Sequence, residues 1–565
     1  VEYYLLFGLM GAGLIFWFLN GMRLERISRQ KFEKKLRELP GKAPDKSYDE
    51  EHFLFQRTKE HDRSDEFGLD RITWNDLSMD EIFKRLDYSY SAAGEEMLYR
   101  ILHKPSFDRE ELKHRNEIVR YFEEHDEERV KLQLYYARIG RTGKYSIYEY
   151  LDYLQNLEVK GNAKDLAVLF LMIVSVGVMF VKPGYGIFML GALVIYNFLS
   201  YFKAKGEIQP YITTFRYILR MLQQTEELVK QKVPAVSREW ERLEKLCTEF
   251  SSFRRGADIA VGNSITSGDP MELVRDYMRM MFHFDLMKFR SMHKTVSEHC
   301  TELKEMFDTV GYVEAMICVA LFRRSVGYYC EPVFLEKSEA GSVLNVQKVY
   351  HPLLKDPVPN SICCERGVLL TGSNASGKST FLKTIAVNAI LAQTVCTCLA
   401  ESYRADFFRV YSSMSLRDDI MGGDSYFIVE IKAVKRILDA CEISEKAPVL
   451  AFVDEVLRGT NTVERIAAST EILNAIESKN ALCFAATHDL ELTTLLEDTF
   501  DNYHFEEKLQ GDDVVFAYKL LDGRAVTRNA VELLRVLGFP DEIVQKAGEN
   551  AEKYLKRENT WAGIL

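Results

Sequence analysis

The ten residues Thr371-Gly372-Ser373-Asn374-Ala375-Ser376-Gly377-Lys378-Ser379-Thr380 constrain the fold more tightly than any other stretch of this chain. They carry the spacing G-x-x-x-x-G-K-[ST], with an apolar run, Val368-Leu369-Leu370, ahead of them and a helix-forming run, Phe381 to Thr394, behind. Strand, glycine turn and helix in that order predict an α/β domain with a phosphate-binding loop. Glycines let successive backbone N–H groups curl around phosphate oxygens, and the helix that follows points its positive end at them. Gly372 through Thr380 form the expected cradle, with Lys378 reaching the β- and γ-phosphates and the Ser379 hydroxyl ligating Mg²⁺.

Two later stretches supply the other half of such a site. Val449-Leu450-Ala451-Phe452-Val453-Asp454-Glu455 reads as a buried parallel strand ending in two acids. Asp454 is placed to hold the Mg²⁺ shell, and Glu455 to orient or deprotonate the attacking water. Ala481 to Ala486 reads as the next strand and delivers Thr487-His488 to its carboxyl end, where a histidine can meet a γ-phosphate or the water. Between loop and acids, Asp418 to Glu430 joins a glycine-containing loop to a helix running to Cys441, and Ser425 near that helix start can donate to an anion.

A chain of 565 residues is too long for one core and predicts two to four domains. A formal charge of −11 excludes nucleic-acid binding driven by net charge alone, while leaving room for a local basic stripe. The ten cysteines lack zinc-ligand spacing and read as reduced thiols of a cytosolic compartment.

Three apolar runs read as membrane spans. Tyr3 to Leu19 is uncharged and is followed by Arg23, Arg26, Arg29 and Lys31, the reverse of a cleaved signal peptide, and it predicts an anchor with its C-terminal side in the cytoplasm. Leu166 to Val181 and Tyr185 to Phe202, separated by Lys182-Pro183-Gly184, predict a membrane hairpin with both ends cytoplasmic. A hairpin buried in protein or used for dimerisation reads the same way. On either side of it, Leu77 to Tyr153 and Ile208 to Cys330 show three- and four-residue apolar spacing, the mark of helices.

The segments TGSNASGKST, DDIMGGDSYFIVE, VLAFVDE, RGTNT and ATHDLELT resemble the ATPase domain of the MutS family of DNA mismatch-repair proteins, a branch of the ABC-type ATPases. Asp87, Gly94, Leu98, Leu102, Pro105, Asp108, Leu112 and Arg115 resemble the start of that family's helical core. The resemblance implies ATP with Mg²⁺, a homodimer closed through its ATPase domains, and Ser425 completing the neighbouring subunit's site. It also implies that Asn374 and His488 contact the nucleotide region. Pro357 stands where many members have an adenine-stacking phenylalanine, with Tyr518 as a substitute aromatic face, and the hairpin stands where the family inserts its DNA clamp.

The fold expected is therefore an α/β P-loop ATPase domain of ABC type plus a mainly α-helical core and lever domain, with three transmembrane helices. Its division is 1–22 anchor, 23–76 charged helix and linker, 77–165 first half of the helical core, 166–202 hairpin, 203–345 second half, 346–550 ATPase domain and 551–565 tail. The stretch before Asp70 reads as anchor and linker in place of the family's mismatch-reading domain. Two outputs stay open: levers that embrace DNA through Arg254, Arg255, Arg279, Lys288, Arg290 and Lys294, or an ATP-driven switch acting on a membrane protein or lipid partner without DNA.

Overall fold

The computed structural model describes residues 20–48, 67–142, 146–157, 161–254, 278–335, 342–373, 376–414, 426–443, 447–458, 460–510, 513–525 and 531–556, apart from 22, 25, 279, 532–533 and 536–537. The expected anchor Tyr3 to Leu19 and the expected site residues Asn374, Ala375 and Ser425 lie outside the described residues. The chain divides into two compact units. One takes the described residues of Val1–Arg63, Asp87–Arg100 and Glu117–Arg324, the other those of Ser64–Leu86, Ile101–Asn116 and Ser325–Leu565.

The first unit is helical. Its principal helices are α1 (Ala92–His103, whose N-terminal part belongs here), α2 (Ala163–Val181), α3 (Pro183–Val229), α4 (Phe284–Glu298) and α5 (Cys300–Ser325). Helix α5 is the core of the unit: every residue from Val313 to Arg323 is buried, as expected of a helix apolar on more than one face. Helices α2 and α3 are more apolar still, yet they turn Phe170, Ile173, Phe180, Ile187 and Phe188 outward, each more than 60% exposed. Among the described residues two helical stretches are long and apolar enough to cross a membrane, Ala163–Val181 and Pro183–Gln209, with mean hydropathies of 2.2 and 1.5. Three spans were expected, and the remaining one falls on residues outside the description.

The hairpin also differs in its turn. Lys182 alone separates the two helices, and α3 continues from Pro183 without interruption to Val229. Proline at the first helical position has no N–H to lose and a preset φ, so Pro183 starts a helix where the sequence suggested a three-residue break.

The second unit is built on two sheets. The smaller holds β1 (Val333–Phe334), β2 (Leu344–Val349), β3 (Asn360–Cys364) and β5 (Ser402–Ala405) in the order β1-β5-β2-β3. The larger holds β4 (Gly367–Thr371), β6 (Arg409–Ser413), β7 (Val449–Asp454), β8 (Ala481–Ala486), β9 (Phe500–Gln510) and β10 (Asp513–Asp522) in the order β10-β9-β4-β8-β7-β6. All its neighbours are parallel except β9 and β10. Every residue of β4, β7 and β8 is buried, which is why these strands read as unbroken apolar runs. Crossover helices α6 (Lys378–Val395), α7 (Tyr426–Cys441) and α8 (Thr462–Glu477) follow β4, β6 and β7 in turn. The register pairs Leu370 and Asp454 both with Ala486, so Thr371, Asp454 and Thr487 leave the sheet along one carboxyl edge.

Candidate nucleotide site

At that edge β4 passes into a turn with Gly372 at φ 138° and Gly377 at φ 107°, conformations that a side chain would strain. Space is also short, more so at Gly372 than at Gly377. A Cβ on Gly372 would lie 2.7 Å from the Phe505 carbonyl oxygen, and one on Gly377 would lie 3.2 Å from the Tyr518 ring. Gly377 is the N-cap of α6 and no side chain caps that helix, so its first N–H groups are left for an anion. Buried Lys378 folds back on the loop, its Nζ donating to the carbonyls of Gly372 at 2.6 Å and Ser373 at 2.7 Å. Burial lowers its pKa, opposed by Asp454, Glu455 and Glu507. Ser376 Oγ donates to the Ser373 carbonyl at 2.8 Å, Ser373 Oγ donates to Glu507, and exposed Thr380 borders the cavity described below.

Ser379 Oγ donates to Asp454 Oδ2 at 2.5 Å, which brings the two expected Mg²⁺ ligands together from residues 75 positions apart. The donor set, one hydroxyl and one carboxylate, is of the kind a hard dication takes. Glu455 follows β7 with φ 59° while its N–H still pairs with the Ala486 carbonyl at 2.9 Å. Its two carboxylate oxygens have different partners: His488 Nε2 lies 2.8 Å from Oε1 and Arg458 Nε lies 2.7 Å from Oε2. The hydrogen bond to His488 lowers the Glu455 pKa, helped by the charges of Arg458 and Lys378 and opposed by partial burial.

Tyr518 lies on β10 where that strand loses register with β9, between Phe516 and Leu520, and it too adopts a left-handed φ, 51°. It lines a cavity of ≈ 340 Å³ together with His351, Pro357, Gly377, Thr380 and Phe381. Burial, with a smaller contribution from Lys383, pushes the His351 imidazole down to about 4, so it is neutral near pH 7. Tyr518 and Pro357 thus face the same space beside the glycine loop.

Two arginines of this region, Arg458 and Arg465, join the site without having been singled out in the sequence. Arg458 carries the charge that meets Glu455, and its N–H donates to buried Glu430 of α7 at 3.1 Å. Arg465 of α8 grips Asp489, next to His488, with two nitrogens at 2.8 and 2.6 Å. Spacing alone offers little signal for either: Arg458 reaches back only because Glu455 and Leu457 are both left-handed, at φ 59°.

A largely parallel α/β sheet with a glycine turn leading into a helix and paired acids on the same edge defines an α/β domain whose carboxyl edge suits an anionic ligand. Residues 368–555 match the family described as MutS domain V. Curated relatives agree. The DNA mismatch repair protein MutS of Thermus aquaticus is 34% identical over 240 residues, 41% of this chain and 28% of that protein. The protein of the same name from Thermotoga maritima is 29% identical over 279 residues, 47% of this chain and 34% of its own length. The match therefore spans about a third or less of these relatives.

Proposed function

We propose that this chain is a membrane-anchored ATPase in which two copies close over ATP and Mg²⁺ through their domain V modules and move helical levers. The observation that carries it is the convergence of Lys378, Ser379, Asp454, Glu455 and His488 on one sheet edge, in a chain whose helices α2 and α3 expose long apolar faces. Such faces are stable in lipid and not in water. Bound Mg²⁺ would neutralise β- and γ-phosphate charge, with Ser379 and Asp454 as its protein donors. Lys378 exchanges its loop carbonyls for phosphate oxygens. Glu455, ionised and oriented by His488, accepts a proton from the attacking water. Ser425 completes the partner's site, and the cradle includes Asn374 and Ala375. ATP bound across the interface stabilises the closed pair through contacts absent in the open one, which is what makes it a switch. The domain division expected from sequence is retained in this proposal, with domain V and the helical levers on the cytoplasmic face.

For the output, the names of the relatives favour a role linked to DNA repair, in which the levers hold DNA near the membrane. The outward apolar faces of α2 and α3 favour a second reading, a switch acting on a membrane protein or lipid partner without DNA. ATP turnover of the full chain in lipid nanodiscs, with and without duplex and branched DNA, separates the two, with Glu455→Gln as blank. Stimulation that fades with added salt supports DNA. Intact basal turnover that ignores DNA at low salt supports the membrane partner, and turnover equal to the blank would refute the ATPase reading.

A further inference from the structure

Asn360, the first residue of β3, does the work of a missing strand. Between Phe516 and Leu520 the backbone of β10 departs from its pairing with β9. There the Asn360 side chain takes over: Nδ2 donates to the Tyr518 carbonyl at 3.0 Å, and Oδ1 accepts from the Leu520 N–H at 2.8 Å. Nδ2 also reaches the Val358 carbonyl at 3.3 Å. One amide thus spans the bulge on either side of Lys519, directly after Tyr518, whose left-handed φ of 51° a non-glycine residue keeps only where its surroundings hold it.

The ring so held is not part of the core. Tyr518 is 45% exposed, with Phe516 beside it at a centroid distance of 5.8 Å and the Gly377 turn on its other flank. It overlooks the ≈ 340 Å³ cavity at the start of α6, whose further walls include Pro357 and the neutral His351. The exposed aromatic face suits a flat heterocycle, with Lys355 and Asp356 among the other residues lining the cavity, and a purine offers the ring more area than a pyrimidine.

We infer that Asn360 is a positioning residue that fixes Tyr518 as the stacking platform for the nucleotide's purine base, and thereby sets purine-over-pyrimidine selectivity. This rests on the nucleotide reading above and extends it to a residue that does not itself touch the nucleotide. The phosphates are held elsewhere, by the loop and Lys378, so the base term is separable from the phosphate term.

The test uses the full chain in nanodiscs and measures KM and kcat for ATP and CTP, with Mg²⁺-tripolyphosphate as a competitive inhibitor that has no base. Asn360→Leu is expected to raise KM for ATP about tenfold, the worth of one good aromatic stack, and to narrow the ATP-over-CTP preference. Inhibition by tripolyphosphate should stay as in the parent, which also reports that the domain is folded. Tyr518→Ala should do the same, Tyr518→Phe should retain the parent values, and Asn360→Leu added to Tyr518→Ala should cost nothing more. An unchanged KM in Asn360→Leu overturns the inference. So does a parallel loss of ATP and tripolyphosphate binding, which would make Asn360 a general brace of the sheet. A parent chain that binds neither ATP nor tripolyphosphate would instead overturn the nucleotide reading, and this inference with it.

Discussion

Acids in the two units, fully buried in the helical unit and partly buried in the sheet unit, show what separates a working carboxylate from a structural one. In the helical unit Glu314 of α5 is fully buried and faces the start of α1, accepting from the Tyr90 N–H at 2.6 Å and the Ser91 N–H at 3.2 Å. It fits so closely that a Cβ on Gly94 would lie 2.2 Å from its oxygen. Burial pushes its carboxyl up to about 7. Asp87 in the same unit is buried as deeply, and burial again acts upward, yet Lys46 at 2.7 Å with Ser89 and Tyr48 pulls it below the usual range. Glu455 in the sheet unit is held low too, chiefly by His488, but it is only partly buried and so are His488 and Arg458. A neighbouring cation, more than depth, decides whether a carboxylate keeps its charge. Access to solvent decides whether that charge can be used.

The largest expected effect tests the working member. Glu455→Gln keeps the shape and removes the base, so kcat should fall by about 10²–10³-fold while equilibrium ATP binding persists. Stopped-flow binding with single-turnover hydrolysis separates the two quantities. A loss of binding equal to the loss of rate would class Glu455 with Glu314 as a structural group.

Next comes the structural member, through pH. With its folded value near 7 and an ordinary value of 4.5, Glu314 makes the folded chain hold more protons than the unfolded chain between those limits. Its contribution is therefore fully present below about 4.5 and is lost as pH rises through about 7, a change on the order of 3 kcal/mol. Denaturant midpoints of the full chain in detergent at pH 5 and pH 7.5 read it. In Glu314→Gln, which cannot ionise, the difference between the two midpoints should shrink, and an unchanged difference would show that the carboxylate is relieved by some other group.

How much of this was legible in the sequence follows the range of the contacts. The loop, its helix and the acidic strand end are local patterns, and the apolar runs of β4, β7 and β8 announce strands buried on both faces. The meeting of Ser379 with Asp454 follows once those strands are placed side by side. Asn360 was invisible because its partners lie 158 and 160 residues away and its own side chain is an ordinary strand-edge amide. Glu314 reads as one acid in an apolar helix, and nothing near it in sequence names the α1 backbone it receives. The hairpin's apolar runs were plain, whereas the length of α3 was not, because Lys-Pro-Gly is equally the wording of a turn and of a helix start.

The smallest effect concerns Arg458, whose guanidinium meets Glu455 at 2.7 Å, whereas Glu314 accepts from the Tyr90 and Ser91 backbone. The guanidinium is not the main cause of the low Glu455 pKa; the His488 hydrogen bond is, and it would remain in Arg458→Ala. Removing one cation should therefore raise the Glu455 pKa part of the way toward its ordinary value. A general base works deprotonated, so the acid limb of the kcat profile should move to higher pH by less than about one unit, with kcat at neutral pH reduced no more than about tenfold. Arg458→Lys keeps a charge without the planar fork and should restore the limb more fully than the rate. Turnover measured from pH 4.5 to 8 in the three proteins reads both quantities. A limb that stays in place while the rate falls would mean that Arg458 only braces the left-handed turn. In that case the His488 hydrogen bond, with the charge of Lys378, would suffice to hold the Glu455 pKa low.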